Sequence, residues 1–430
     1  MTQSPIQLRI EKPIYGGSGL ARQEGKAIFV PFTLPGETVE AAITDDHGSY
    51  ANAELVRILE PSVARAEPRC PHFSDCGGCH YQHTTYQHQI DMKSQILRES
   101  LERARITDIP GIGTLSSEPL AYRNRIRLHI DARTSRLAYK RRASNQNLIV
   151  TTCPIAAPIL QTALHKIQPS AATLQLNKYF TEIELFTNSA QDSVLISLFT
   201  SAAPKPAVQA LQSLWPQLQS AIPQLTGIAL FSVDKPRQPG KLLAHNGEPS
   251  LTSTASGHNY RVSAGSFFQV NRFLISPLVE HVTQSVAGSL AWDLYAGVGL
   301  FSAALTARFQ QVIAVESAPS SVHDLLHNLR GTPSRIVAST TLDFLRRLAN
   351  QHQPDLVIVD PPRSGLGKQV TTLLAAARPT NITYVSCDPA TLSRDLKSLL
   401  DSGYHLSSIH MVDLFPQTFH LESVATLELK

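Results

Sequence analysis

Cys70, Cys76 and Cys79 stand in CPHFSDCGGC, a C-x5-C-x2-C spacing, and Cys153 in TTCPI is a fourth thiol that folding could bring to them. Four thiolates around one metal centre is the simplest chemistry for such a set, and the spacing alone fits a structural zinc or an iron-sulfur cluster. Gly77 and Gly78 would let the backbone curl closely round that centre. Cys76-Gly-Gly-Cys79 also has the form of a thioredoxin-type pair, but the surrounding βαβ pattern of such a site is missing. Unliganded buried thiols are the plain alternative, and three of them in so polar and His-rich a stretch make poor core residues.

The fifth cysteine, Cys387, follows the apolar run ITYVS in VSCDPATLSRD. A side chain at such a strand end points into a ligand crevice, which makes this thiol a candidate nucleophile rather than only a buried structural one. In AWDLYAGVGLFS a strand ends at Leu294, and Gly297 and Gly299 let a ligand approach the backbone before a helix begins. Glu316 lies nineteen residues past Gly297 at the end of the next apolar run, placed to accept ribose hydroxyl hydrogen bonds. Position 302 is Ser rather than the third Gly of a dinucleotide fingerprint, so adenosine binding fits better than NAD binding. Asp360 opens DPPRSGLG after LVIVD, a strand-end carboxylate beside two rigid prolines that could hold cofactor or substrate base. Arg363 stands where amino-methylating enzymes place an aromatic, which disfavours chemistry on an exocyclic amine. Glu422 in FHLESVATLEL, at the mouth of a last apolar strand, is a candidate base, with a surface carboxylate as the bland alternative. A radical enzyme cleaving S-adenosylmethionine would use C-x3-C-x2-C and keep one iron open, and four cysteines in the present spacing do not match that.

These residues need rigid elements behind them. At 430 residues the chain exceeds one ordinary core and predicts three domains, divided at 1–60, 61–262 and 263–430. Residues 1–60 read as short strands broken by Gly16, Gly17, Gly19, Gly25 and Pro35-Gly36, a small β-barrel. The order YGGSGLARQEGKAIFVPFTLPGE resembles a TRAM domain, an OB-like RNA-binding barrel. A cysteine-bearing stretch and a helix over 91–105 follow. From 290 onward AWDLYAG, QVIAVE, DLVIVDPP and ITYVSCDP each end a β run just before loop chemistry, the pattern of a doubly wound parallel sheet. The net charge is +4, yet residues 121–150 alone carry +7. There Arg123, Arg125, Arg127 and His129 alternate with apolar-leaning positions, so one strand face is expected to grip phosphates. With 17% charged residues and no apolar run near membrane length or leader-like start, the sequence predicts a cytoplasmic protein with no membrane span. In the cytoplasm the five cysteines are ligands or catalysts rather than disulfides. Nothing in it calls for an obligate protein partner.

Taken together, CPHFSDCGGC, FFQVN, DLYAGVGLF, DPPRSG, SCDPATLSRD and DLFPQTFHLES, in that order, resemble the RNA uracil-5-methyltransferase family over nearly the whole chain. More specifically they resemble the subgroup that joins a TRAM barrel, a central α+β region with a [4Fe-4S] centre and a Rossmann-like α/β methyltransferase domain. The resemblance implies that Gln269, Tyr295, Gly297, Gly299, Glu316 and Asp360 contact S-adenosylmethionine and that Cys70, Cys76, Cys79 and Cys153 hold the cluster. It makes Cys387 the nucleophile and Glu422 the base. The implied substrate is a flipped or loop-presented uridine of structured RNA, with 23S rRNA favoured over tRNA. Some members carry a polar residue where Leu300 stands and an Asp or Asn near Thr340. A non-catalytic RNA-binding or assembly protein on the same fold is the reading from another class, and retention of both Cys387 and Glu422 argues against it.

Overall fold

Turn-forming glycines and alternating apolar residues close the N-terminal segment on itself. A computed structural model describes residues 4–233, 240–284, 286–348 and 352–430. In it β1 (Ile6–Pro13), β2 (Ser18–Gln23), β3 (Lys26–Pro31), β4 (Thr38–Asp46) and β5 (Tyr50–Glu60) form a closed barrel in the order β1-β2-β3-β5-β4. Closure leaves no free edge, and Leu8, Ile10, Ile28, Val30 and Val39 fill the interior. Helix α1 (Tyr86–Arg103) and the short strand β6 (Ile112–Leu115) follow.

The central region is a seven-stranded sheet of β7 (Arg125–Ile130), β8 (Leu137–Lys140), β9 (Asn147–Ile149), β10 (Glu182–Thr187), β11 (Val194–Thr200), β12 (Leu225–Ser232) and β13 (Leu242–Gly247), in the order β13-β12-β11-β10-β7-β8-β9. Helices α2 (Pro158–Ser170) and α3 (Pro204–Ala221) bury Leu160, Leu164, Leu211 and Leu214 in its core. The hairpin β14 (Ser250–Ala255) and β15 (His258–Ser263) leads out of it.

The alternation along β7 is as expected, with Ile126, Leu128 and Ile130 buried, but the cationic face is not a free phosphate grip. Antiparallel pairing sets Glu182 opposite His129 and Glu184 opposite Arg127, so carboxylates of β10 meet the basic side chains. Arg127 pairs with Glu182 and lies 3.7 Å over the Phe199 ring, while His129 Nδ1 is 3.0 Å from Glu182. Arg125 donates to the Ser266 carbonyl at 2.7 Å, sits 3.7 Å from Glu184 and stacks 4.0 Å over Phe186. Arg123 lines the cavity of the cysteines described below. Replacing Arg123, Arg125 and Arg127 together by Ala should therefore leave the salt slope of RNA binding unchanged, because no phosphate contact is lost. It should instead lower thermal stability, with each guanidinium that leaves an ion pair and an aromatic face costing about 1–2 kcal/mol. A flattened salt slope with unchanged melting would reverse this assignment.

The C-terminal part supplies α4 (Ile275–Thr283), β16 (Gly288–Leu294), α5 (Leu300–Leu305), β17 (Phe309–Glu316), α6 (Pro319–Asn328), β18 (Ser334–Ala338), α7 (Thr341–Leu348) and β19 (Leu356–Val359). After these come α8 (Gly367–Ala377), β20 (Asn381–Ser386), α9 (Pro389–Asp401), β21 (Tyr404–Val412) and β22 (Glu422–Leu429). Its eight strands run β18-β17-β16-β19-β20-β22-β21-β6, parallel from β18 to β20, with β22 antiparallel to both its neighbours. The last place is taken by β6, parallel to β21 with Ile112 opposite Ile409, and α1 packs on α9, so residues 86–115 contribute to this sheet from before the central region. The strand order reverses between β16 and β19, which opens a ligand crevice at their carboxyl ends. No helix among the described residues is long and apolar enough to cross a membrane.

Candidate active site

β16 is apolar and buried up to Leu294, and the chain then turns through three left-handed residues, Tyr295 (φ 68°), Gly297 (φ 56°) and Gly299 (φ 92°). A β-carbon at Gly299 would come within 2.8 Å of Leu325, so only glycine allows α5 to start so close to α6. Glu316 at the end of β17 braces the turn: it accepts the N–H of Gly297 at 2.9 Å and those of Ser317 and Ala318 at 2.6 and 2.7 Å. Gln269, Tyr295, Gly297 and Asp360 line one cleft with Phe267 and Leu300, at the crevice where the strand order reverses. Of the six residues expected to touch a cofactor, those four share the cleft wall, while Gly299 and Glu316 form the turn beneath it.

Asp360 follows β19, and Cys387 follows β20, its parallel neighbour. The next strand is β22, antiparallel to β20 with Ser386 opposite Ser423, so the register puts Glu422 beside Cys387. Sequence separations of 27 and 35 residues thus collapse to three adjacent strand ends. Asp388 caps α9 through Oδ1, accepting the N–H groups of Ala390 and Thr391 at 3.0 and 2.9 Å. The positive end of that helix is spent on Asp388 rather than on the thiol. Burial, then Glu422 and Asp360, push the Cys387 thiol up to about 12, opposed by Arg363. Glu422 is buried, and burial followed by Asp360 holds its carboxyl well above the usual carboxylate range, again opposed by Arg363. Burial also raises Asp360. Burial and the neighbouring carboxyls thus favour the protonated forms of both Cys387 and Glu422.

The sign of the pH effect follows. A buried carboxyl with raised proton affinity contributes fully below about pH 4.3, where the unfolded chain is protonated too, and loses stability as pH rises toward its folded value. Glu422→Gln removes that loss. The melting temperature of Glu422→Gln relative to the ligand-free wild type should therefore climb as pH rises above about 4.5. A gap independent of pH would show that Glu422 is ionised when folded.

Several supporting residues escaped sequence reasoning. Asp293 is fully buried in β16 and raised to about 6 by burial; the Ser302 hydroxyl, at the position of the missing third glycine, donates to it. A lone acid in an apolar strand was a signal for it. Asn328 donates to the carbonyls of Val298 and Arg261 at 2.9 and 3.0 Å, and the buried Tyr260 hydroxyl donates to the Leu300 carbonyl at 3.0 Å. Tyr15, in the barrel's first turn, reaches the Cys387 carbonyl at 3.4 Å and packs edge-on against Phe419. Thr340 and Asp343 bond each other at the start of α7.

A second cavity of about 330 Å³ is ringed by Cys70, Cys76, Cys79 and Cys153, so all four expected ligands face one space. Among the described residues no three His, Cys, Asp or Glu side chains converge as they would on one metal ion. Cys76 and Cys79 are raised to about 11 and 12 by burial and carry neighbouring thiols among the lesser causes. A β-carbon at Gly78 would lie 3.5 Å from Cys76 Sγ. The N–H of Gly77 donates to the Lys140 carbonyl at 3.0 Å, tying this loop to β8.

Comparison with known proteins agrees with this arrangement. The family described as tRNA (Uracil-5-)-methyltransferase matches residues 85–337 and 341–430, and the TRAM domain matches residues 4–56. An uncharacterised RNA methyltransferase of Aquifex aeolicus is 31% identical over 100% of both chains. The Vibrio parahaemolyticus protein named 23S rRNA (uracil(1939)-C(5))-methyltransferase RlmD is 30% identical over 98% of this chain and 95% of its own. Among solved structures, Pyrococcus abyssi tRNA (uracil-54, C5)-methyltransferase in complex with S-adenosyl-L-homocysteine superposes with a TM-score of 0.78 at 22% identity, covering 98% of this chain and 99% of that one. A switch-point cleft, a thiol and a buried carboxyl on adjoining strand ends, and a match over most of its length place the chain in the RNA (uracil-5-)methyltransferase family.

Proposed function

We propose that the protein transfers a methyl group from S-adenosylmethionine to carbon 5 of one uridine in 23S rRNA, through a covalent adduct on Cys387. The observation that carries this reading is the pairing of β20 with β22, which sets Cys387 beside Glu422 at the edge of the cleft. Carbon 5 of uracil is a weak nucleophile. The thiol proton of Cys387 and the carboxyl proton of Glu422 first pass to solvent, leaving thiolate and carboxylate. The thiolate then adds to carbon 6 and drives the electron pair of the 5,6 double bond toward the carbonyl at carbon 4, and carbon 5 of that enolate can then bond to carbon. S-adenosylmethionine supplies the methyl group on a positively charged sulfur, and Gln269, Tyr295, Gly297, Gly299, Glu316 and Asp360 are the residues to hold it. Glu422 next accepts the proton of carbon 5, the double bond re-forms, and the sulfur of Cys387 leaves. A carboxylate whose proton affinity is raised by burial is a stronger base for this step than an exposed one.

Four thiols lining one cavity are the donor set of a [4Fe-4S] cluster, and Cys70, Cys76, Cys79 and Cys153 are the residues that would hold it. Such a group would tie the 70–79 loop to Cys153 and β8 structurally, with no candidate catalytic residue in the cavity wall. Anaerobically purified protein should be brown and contain iron and sulfide, and stoichiometric zinc without either would overturn this. The relatives named for 23S rRNA favour a ribosomal substrate in the cytoplasm, and the archaeal structure named for tRNA marks the alternative. Mapping 5-methyluridine in a deletion strain tests the substrate: loss from 23S rRNA, restored by the gene, supports the reading, and loss from tRNA alone overturns it.

A further inference from the structure

The segment 413–421 between β21 and β22 contains no candidate catalytic side chain, yet it fixes where Glu422 begins. At its centre Gln417 has a left-handed backbone, φ 68°, which a non-glycine residue keeps only when its neighbours impose it. From one side the N–H groups of His80 and Tyr81, just past Cys79, donate to its carbonyl at 2.7 and 3.0 Å. From the other side α1 presents Gln89. Its Nε2 donates to Gln417 Oε1 at 3.0 Å, and its Oε1 accepts the Gln417 N–H at 3.0 Å. Gln89 is 1% and Gln417 7% exposed, so water does not readily replace a lost bond. One turn along the same helix, Lys93 Nζ donates to Asp413 Oδ1 at 2.6 Å and to the Phe415 carbonyl at 3.0 Å. The nucleophile has further supports of its own, the pairing of β20 with β19 and the Asp388 cap of α9.

We infer that Gln89, acting through Gln417, is a positioning residue for the base and governs release of the methylated RNA rather than its capture. The inference rests on the covalent reading above. Proton transfer from carbon 5 requires the carboxylate within hydrogen-bond reach. A segment that has lost the Gln89–Gln417 amide pair shifts the first residue of β22, whereas Cys387 keeps the β19 ladder of its strand and the Asp388 cap and meets the segment only through Tyr15, which packs on Phe419.

The test measures single-turnover and steady-state kinetics of Gln89→Ala with methyl-labelled S-adenosylmethionine and substrate RNA, reading the enzyme–RNA adduct on denaturing gels. Steady-state kcat should fall by about tenfold with an almost unchanged KM for RNA, as the loss of one to two buried hydrogen bonds predicts. The fraction of enzyme carried as methylated adduct should rise. Gln417→Gly provides a second variant, since glycine is at ease at this φ and keeps the main-chain bonds while losing the amide pair; it should raise the adduct in the same direction. If neither variant raises the adduct fraction, or if adduct formation slows as much as release, the inference is overturned. Adding Cys387→Ala to Gln89→Ala tests the underlying reading separately: an adduct that survives without Cys387 would overturn the covalent mechanism itself.

Discussion

Cys387→Ala should bind RNA and S-adenosylmethionine yet form neither adduct nor product, with methyl transfer down by more than about 10³-fold, as for removal of other covalent nucleophiles. The loss is chemical rather than architectural. Cys387 is only half-buried, it follows β20 rather than packing inside it, and the α9 cap is made by the neighbouring Asp388. Its thiol is also held protonated by burial and by Glu422 and Asp360, so its removal takes no stabilising charge from the resting protein. Melting of Cys387→Ala should stay close to the wild type while activity disappears. Retained activity would move the nucleophile elsewhere in the cleft.

Glu422→Gln should fail at the opposite end of the cycle. The amide keeps the shape of the side chain and cannot take a proton, so methyl transfer proceeds and elimination stalls. Enzyme should accumulate as a slow band on denaturing gels, labelled from the methyl group and dependent on Cys387, with turnover down about 10²–10⁴-fold, the usual contribution of a general base. The contrast between the two variants is sharper than either alone, because β20 and β22 place both residues within one register pair. Normal turnover by Glu422→Gln would assign proton removal to another group, of which Asp360, whose charge acts on Glu422, is the first candidate.

What could be read from the sequence was whatever a short window contains. Apolar runs ending in YAGVG, DPPRSG and SCDPA announce strand ends with chemistry attached, because a parallel strand is apolar throughout and its loop is not. The glycine-rich turns of residues 1–60 announce the barrel for the same local reason. The basic face of β7 misled because its period is local while its partners are not: Glu182 and Glu184 lie more than fifty residues on and meet it only through sheet pairing. The Gln89–Gln417 pair spans 328 residues, and two glutamines carry no signal of their own. Likewise Ile112–Leu115 is too short to declare which sheet it joins; Ile409–Val412 decides that.

The position of β22 between β20 and β21 has a consequence for synthesis. Both neighbours are translated before it, and β6 some three hundred residues earlier, so the nascent chain carries β20 and β21 with open edges until residues 422–429 emerge. Such long-range closure is slow, and unpaired apolar edges are where growing chains stick to one another. A stop codon just before Glu422 would therefore do more than delete the proposed base. It would leave the fully buried Ile382, Tyr384 and Val385 of β20 with an open edge where β22 pairs, and the truncated protein should be found in inclusion bodies rather than as an inert soluble enzyme.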